Sequence, residues 1–266
     1  MTEPHTAPTP SLRASRPILS KVPEATALFW AIKICTTGMG ETASDFMGSR
    51  PVLLAAPLVA ASLAALVWLL RRQLRADRYL PWIYWGTVAM ISVFGTVVAD
   101  GIRVGLGLPY WATTIVFALA VAGVLTAWYR SEGTLSIHDI TTRRRETFYW
   151  TTVISTFALG TAAGDWTAQS LGLGYRDSGL MFVAVIAVPF LLYRGASLNA
   201  TVAFWAAYIV TRPLGASFAD WAAVPTGEGG LDLHTGPVTL VLLLVILGLV
   251  RAESRGAESR GVEAAR

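Results

Sequence analysis

The sequence predicts an all-α polytopic membrane protein, with about eight transmembrane helices arranged as four parallel-repeat helical hairpins with pseudo-symmetry. Three observations predict it. Eight mostly apolar stretches are each long enough to cross a bilayer as a helix. Basic residues collect after every second stretch. An aromatic–Trp, Gly, Asp pattern recurs four times at fixed spacing. Composition agrees: of the 266 residues only 14% are charged and 54% are hydrophobic, too little polar surface for a water-facing globule. A disordered chain is excluded by the same apolar content.

The spans are expected near 23–47, 51–70, 80–106, 109–130, 146–172, 179–194, 199–223 and 235–251, the sixth being short. Arg13, Arg16 and Lys21 precede the first. Arg71, Arg72, Arg75 and Arg78 follow the second, and Arg130 with Arg143, Arg144 and Arg145 the fourth. Arg194 follows the sixth, and Arg251, Arg255, Arg260 and Arg266 the eighth. Sixteen of the 21 Lys and Arg thus lie on one side. The positive-inside rule makes that side, and both termini, cytoplasmic. The net charge of +4 is therefore a topology signal and not a nucleic-acid footprint. The expected partner is the lipid bilayer, and the expected location a bacterial inner membrane.

Three regions follow. Residues 1–20, rich in Pro, Ser and Thr, read as a disordered cytoplasmic tail and not as a signal peptide, for they have no apolar core. Residues 21–251 form the transmembrane domain, with repeats over about 21–75, 76–135, 141–195 and 196–251. Residues 252–266 repeat Ala-Glu-Ser-Arg-Gly and read as a second solvated, disordered tail.

Each repeat opens on an aromatic–Trp pair: Phe29-Trp30, Tyr84-Trp85, Tyr149-Trp150 and Phe204-Trp205. Ten residues after each Trp stands a glycine (Gly40, Gly95, Gly160, Gly215), and fifteen after it an aspartate (Asp45, Asp100, Asp165, Asp220). The aspartates are separated by 55, 65 and 55 residues, as in a duplicated half that is itself duplicated. Tyr110-Trp111 lacks the acid, so the Gly–Asp register and not the aromatic pair defines the repeat. Two spans per unit make the repeats parallel, and equivalent helices should surround an axis normal to the membrane. Fifteen residues rise about 22 Å, which puts the acids in the outer part of the hydrocarbon core.

A carboxylate in a span costs roughly 2.5–3.5 kcal/mol at the bilayer centre. Glu41 lies one turn before Asp45, so the inward acids are Glu41, Asp45, Asp100, Asp165 and Asp220. Lys33 and Arg212 are the only bases placed within spans, and are most simply their counter-ions. The remaining negative charge calls for protons or cations. These five carboxylates, with the hydroxyls of Thr42, Thr96, Thr161 and Ser217, form a hard-oxygen set suited to a divalent metal cation. Met39 and Cys35 tilt it toward manganese. The expected function is transport of that ion, with protons as a candidate counter-ion. Two alternatives stay open: a structural or interaction protein whose acids only stabilise helix packing, and a small-solute carrier, which a large apolar pocket away from the acids would favour. Pro213 is expected to kink the seventh span. Gly105/Gly107 and Gly172/Gly174 read as helix-ending turns, and His138-Asp139 as a loop contact. No Ser–His, Cys–His or HExxH arrangement occurs within the spans, so no enzyme activity and no resident cofactor are expected.

The stretches KVPEATALFWAIKICTTGMGETASDF, RRRETFYWTTVISTFALGTAAGDWTA and FWAAYIVTRPLGASFADW resemble a bacterial family labelled an uncharacterised membrane-anchored protein. The resemblance covers roughly residues 21–250. It implies a multi-span inner-membrane protein and carries no settled activity. The turn after Asp45 departs from the other copies, with Met-Gly-Ser-Arg-Pro where they have a Gly-Leu type sequence.

Overall fold

A computed structural model describes residues 20–195 and 198–263, with side chains through residue 256. The expected tail 1–20 lies, but for Ser20, outside the described residues. Eight long helices and no strand occur among them: α1 (Ala27–Gly48), α2 (Val52–Arg75), α3 (Pro81–Leu106), α4 (Tyr110–Glu132), α5 (Arg143–Asp165), α6 (Gly174–Gly195), α7 (Ala200–Ala223) and α8 (Thr235–Glu263). Local chemistry sets the starts of the repeat helices. Thr26, Thr142 and Asn199 cap α1, α5 and α7 by accepting from backbone N–H groups of the first turn. Pro81 occupies the first turn of α3, where its missing N–H is not needed. Gly107 ends α3 at φ 60°, a left-handed stop that favours glycine.

The helices form two rings. The aromatic–Trp helices α1, α3, α5 and α7 build the inner one, each packed on the next, with α7 returning to α1. The other four lie outside. The expected hairpins do not form as packing units. α2 packs mainly on α3, α4 on α5, α6 on α7, and α8 on α1. The second helix of each repeat thus leans on the first helix of the following repeat, and within a repeat the two helices barely touch. The outer helices are apolar and exposed; α2 buries only Leu66 and Gln73.

The same register recurs at every inner contact. A Cβ built on Gly40 would collide with Ser92, on Gly95 with Phe157, on Gly160 with Arg212, and on Gly215 with Thr37. Each partner lies seven residues after the Trp of the next repeat. The aromatic residue before each Trp faces the next repeat's Trp, with centroid separations of 5.4 Å (Phe29–Trp85), 5.5 Å (Tyr84–Trp150), 6.1 Å (Tyr149–Trp205) and 5.7 Å (Phe204–Trp30).

Five helices, α2, α3, α4, α6 and the first 22 residues of α8, are long and apolar enough to cross a membrane by length and composition. The other three, α1, α5 and α7, are of similar length but less apolar. They are buried in the bundle and turn polar groups inward: Lys33 and Glu41, Glu146 and Thr161, Arg212 and Asp220.

The second expected tail is not irregular where it is described. α8 runs on to Glu263, and Glu253 accepts hydrogen bonds from Trp85 Nε1 (2.7 Å) and Tyr79 Oη (3.0 Å). A seal at the same end joins Lys21 to Glu146 (2.9 Å), which also accepts from Gln73 (3.2 Å).

Candidate functional site: a polar core capped by aspartates

In each inner helix the residues at intervals of four from the first aromatic line one row, as i and i+4 do on any helix. In α1 the row is Phe29, Lys33, Thr37, Glu41 and Asp45; in α3 it is Tyr84, Val88, Ser92, Thr96 and Asp100. In α5 it is Tyr149, Val153, Phe157, Thr161 and Asp165; in α7, Phe204, Tyr208, Arg212, Ala216 and Asp220. All but Asp45, Asp100 and Asp165 are buried. The core therefore changes level by level.

The first level is a collar of four buried rings, where the Tyr84 and Tyr149 hydroxyls share a short hydrogen bond. Lys33 comes next. Its Nζ is buried without a hydrogen-bond partner and lies 4.0 Å from the Phe157 ring centroid and 4.3 Å from that of Tyr208. Ring faces of this kind are the environment that a lysine amine meets when no acid is within reach. Lys33 is thus not the counter-ion to the acids that its position suggested.

Arg212 takes that place. Its Nη2 donates to Glu41 Oε2 at 2.7 Å, to Thr161 Oγ1 at 2.9 Å and, over a short contact, to Thr96 Oγ1. Its Nη1 donates to the Thr37 carbonyl at 2.8 Å. Thr96 and Thr161 Oγ1 stand 3.1 and 3.2 Å from Glu41 Oε2 and 3.2 Å from each other. Gly160 makes room for the arginine stem, for a Cβ there would overlap Arg212 Cβ and Cγ.

Beyond this node lie the four aspartates, all at one end of the inner bundle. Every one is within electrostatic reach of Glu41. Asp45 lies within electrostatic reach of Asp100 and Asp220, and Asp165 of Asp45 and Asp100. Asp220 is buried, with Oδ1 unpartnered. The five acids are brought together as a ring rather than a chelate: among the described residues no three His, Cys, Asp or Glu side chains are arranged to hold a metal ion. Of the hydroxyls, Thr96 and Thr161 join the Arg212 node, Thr42 bonds to Thr239 (2.8 Å), and Ser217 Oγ is unpartnered. Cys35 is half-buried with a free thiol. Met39 is buried in the apolar core.

Sequence reasoning missed Arg103. It lies three residues after Asp100, within electrostatic reach of Asp100 and Asp165, and its guanidinium is 4.3 Å from the Tyr110 ring centroid. The i, i+3 spacing was the available signal. It also missed Glu146 and Glu253. A groove of about 580 Å³ lies at the collar end, away from the acids, among Trp30, His138, Phe190, Arg194 and Phe204.

Membrane-length apolar helices around a buried polar core define the class: a helical protein with several candidate membrane spans built from internal repeats. The chain belongs to the family described as Repeat of Unknown Function (DUF347), which matches residues 83–134, 148–197 and 203–255, more than half of its length. Those matches coincide with α3–α4, α5–α6 and α7–α8. The first copy, with Glu41 where α3 and α5 carry Thr96 and Thr161, lies outside them. No curated protein and no solved structure matches the chain.

Proposed function

We propose that this protein is an inner-membrane transporter of a divalent cation, with manganese the first candidate and protons the counter-ion. In this reading all eight helices span the bilayer and both termini are cytoplasmic. The four repeats surround a pseudo-fourfold axis along the membrane normal. The collar then marks the inner end of the path and the aspartates its outer mouth.

One observation carries the reading. Four aspartates, one from each repeat, lie within electrostatic reach of Glu41, with two bases, Arg212 and Arg103, beside them. Asp220 is buried and Asp45, Asp100 and Asp165 are half-buried around it, so a bound proton or cation would relieve the formal excess of acid. The unpartnered oxygen of Asp220 is one place for it to bind. Ligation needs the ring to tighten, which a cation would drive by bridging Asp45 and Asp220.

Manganese uptake into vesicles carrying the purified protein and a trapped indicator tests this. Asp45→Asn, Asp100→Asn, Asp165→Asn and Asp220→Asn should each slow uptake about tenfold or more, the equivalent of about 1.4 kcal/mol per decade. Folded variants that all transport at the rate of the unaltered protein, or an unaltered protein that moves no ion, overturn it.

The groove beside Trp30 and Phe204 favours a second reading, a small-solute carrier. Ala203→Trp would fill that groove. Manganese uptake should survive the change if the aspartates form the path.

A further inference from the structure

We propose that Glu41, Thr96, Thr161 and the Thr37 carbonyl form a cation site separate from the aspartate ring, and that the guanidinium of Arg212 is its tethered occupant. The free ligand it would take is a small alkali cation of the sodium or lithium class.

Two independent observations lead there. The first is geometric. Arg212 Nη2 sits among three oxygens contributed by three different helices, with a carbonyl oxygen at the neighbouring Nη1. One carboxylate, two hydroxyls and a carbonyl make the kind of oxygen shell that hard cations accept. The second is the repeat register. Glu41, Thr96 and Thr161 each stand eleven residues after their Trp. The fourth helix has Ala216 at that position, and instead delivers a positive group from Arg212, one turn earlier. Three copies supply ligands and the fourth supplies the ion.

Charge selects the class. The cage carries a single formal charge, that of Glu41, and the guanidinium balances it. Glu41 is the one carboxylate that the guanidinium contacts, and a monovalent ion replaces that guanidinium charge for charge. The guanidinium is also held in place, its stem seated against Gly160 and its Cζ 5.0 Å from the Phe157 ring centroid. Tethering gives it a high effective concentration, so a free ion competes poorly until Arg212 withdraws. Its withdrawal would then be the step that opens the core. This last consequence rests on the transport reading; the site itself does not.

The test is thermal unfolding of the full chain in detergent, followed by tryptophan fluorescence. Sodium, lithium and choline chlorides are compared at equal ionic strength, choline being too large for the cage. The unaltered protein should melt at one temperature in all three. Arg212→Gln should melt lower in choline and recover by about 2–8 °C, saturably, in sodium or lithium. Adding Thr96→Val and Thr161→Val should remove the recovery, and adding Asp45→Asn should leave it. Arg212→Ala, which also removes the tethered charge, provides the second variant if Arg212→Gln does not fold; it should show a similar sodium shift. A folded Arg212→Gln or Arg212→Ala that melts alike in sodium and choline overturns the site. A preserved shift without manganese uptake defeats the transport reading alone, and lost shift with normal uptake defeats this one alone.

Discussion

Gly215 of α7 rests directly on Thr37 of α1, so close that a Cβ at Gly215 would collide with Thr37 Oγ1 and lie 2.9 Å from the Ile34 carbonyl oxygen. This contact joins the last repeat to the first. It repeats the Gly40–Ser92, Gly95–Phe157 and Gly160–Arg212 contacts, and makes a closed ring of what is otherwise a row of four similar units.

Alanine at these glycines should therefore be costly. Gly40→Ala, Gly160→Ala and Gly215→Ala each force backbone or short stems apart, and should destabilise by about 1–3 kcal/mol or more. Gly123→Ala in α4 meets open space and should be neutral or stabilising by up to about 1 kcal/mol, since alanine is the better helix former. Unfolding midpoints in detergent measure the difference; equal midpoints would refute the close-packed ring.

The Arg212–Glu41 pair should behave as a buried ion pair. Glu41→Ala strands the guanidinium and should cost about 3–5 kcal/mol. The double change Glu41→Ala with Arg212→Met removes both charges and should recover most of that. Chemical unfolding of the single and double variants checks the coupling, and a strictly additive double variant argues against it.

Glu253 should anchor the end of α8. Glu253→Gln weakens bonds to Trp85 and Tyr79, and hydrogen exchange in α8 beyond Val250 should accelerate by about three- to tenfold, a loss of about 1 kcal/mol. Burial, and secondarily the Glu253 carboxylate, holds the Tyr79 phenol above its ordinary range. A raised value in the folded state means the stabilisation is complete below about pH 10, the ordinary tyrosine value, and is lost as pH rises through the folded value. Alkaline melting curves of the parent and Tyr79→Phe should keep a constant offset below that pH and change their separation only above it.

Topology is open to labelling. In a Cys35→Ala background, Ser49→Cys and Thr226→Cys should react with an impermeant maleimide in intact cells. Asp77→Cys and His138→Cys should react only after permeabilisation. The reverse pattern would invert the orientation drawn from the arginines.

Much of the architecture is legible in the chain because its signals are local. The apolar runs mark the eight helices to within a few residues, and the stop at Gly107 is written in a single residue. The aspartates share one end of the core because fifteen residues of helix carry every copy the same distance. Other features are invisible at that range. Lys33 and Arg212 look alike as intramembrane bases, yet one reaches an acid and the other faces rings. Arg103 shows its place only in the packed bundle, where it lies over the Tyr110 ring and within electrostatic reach of Asp100 and Asp165. The Ala-Glu-Ser-Arg-Gly repeat reads as a loose tail, and only the presence of Trp85 and Tyr79 beside Glu253 shows what its first residues meet.

The amino-acid order alone determined which side chains face inward and at what height, since a helix of fixed rise and period converts spacing into direction and depth. Tertiary structure decided who meets whom: that α2, α4, α6 and α8 each serve the following repeat, that the ring closes through Gly215 and Thr37, and that one guanidinium collects oxygens from three helices. Neighbour choice among four similar helices depends on shape and charge matched across the whole bundle, and no stretch of one helix encodes it.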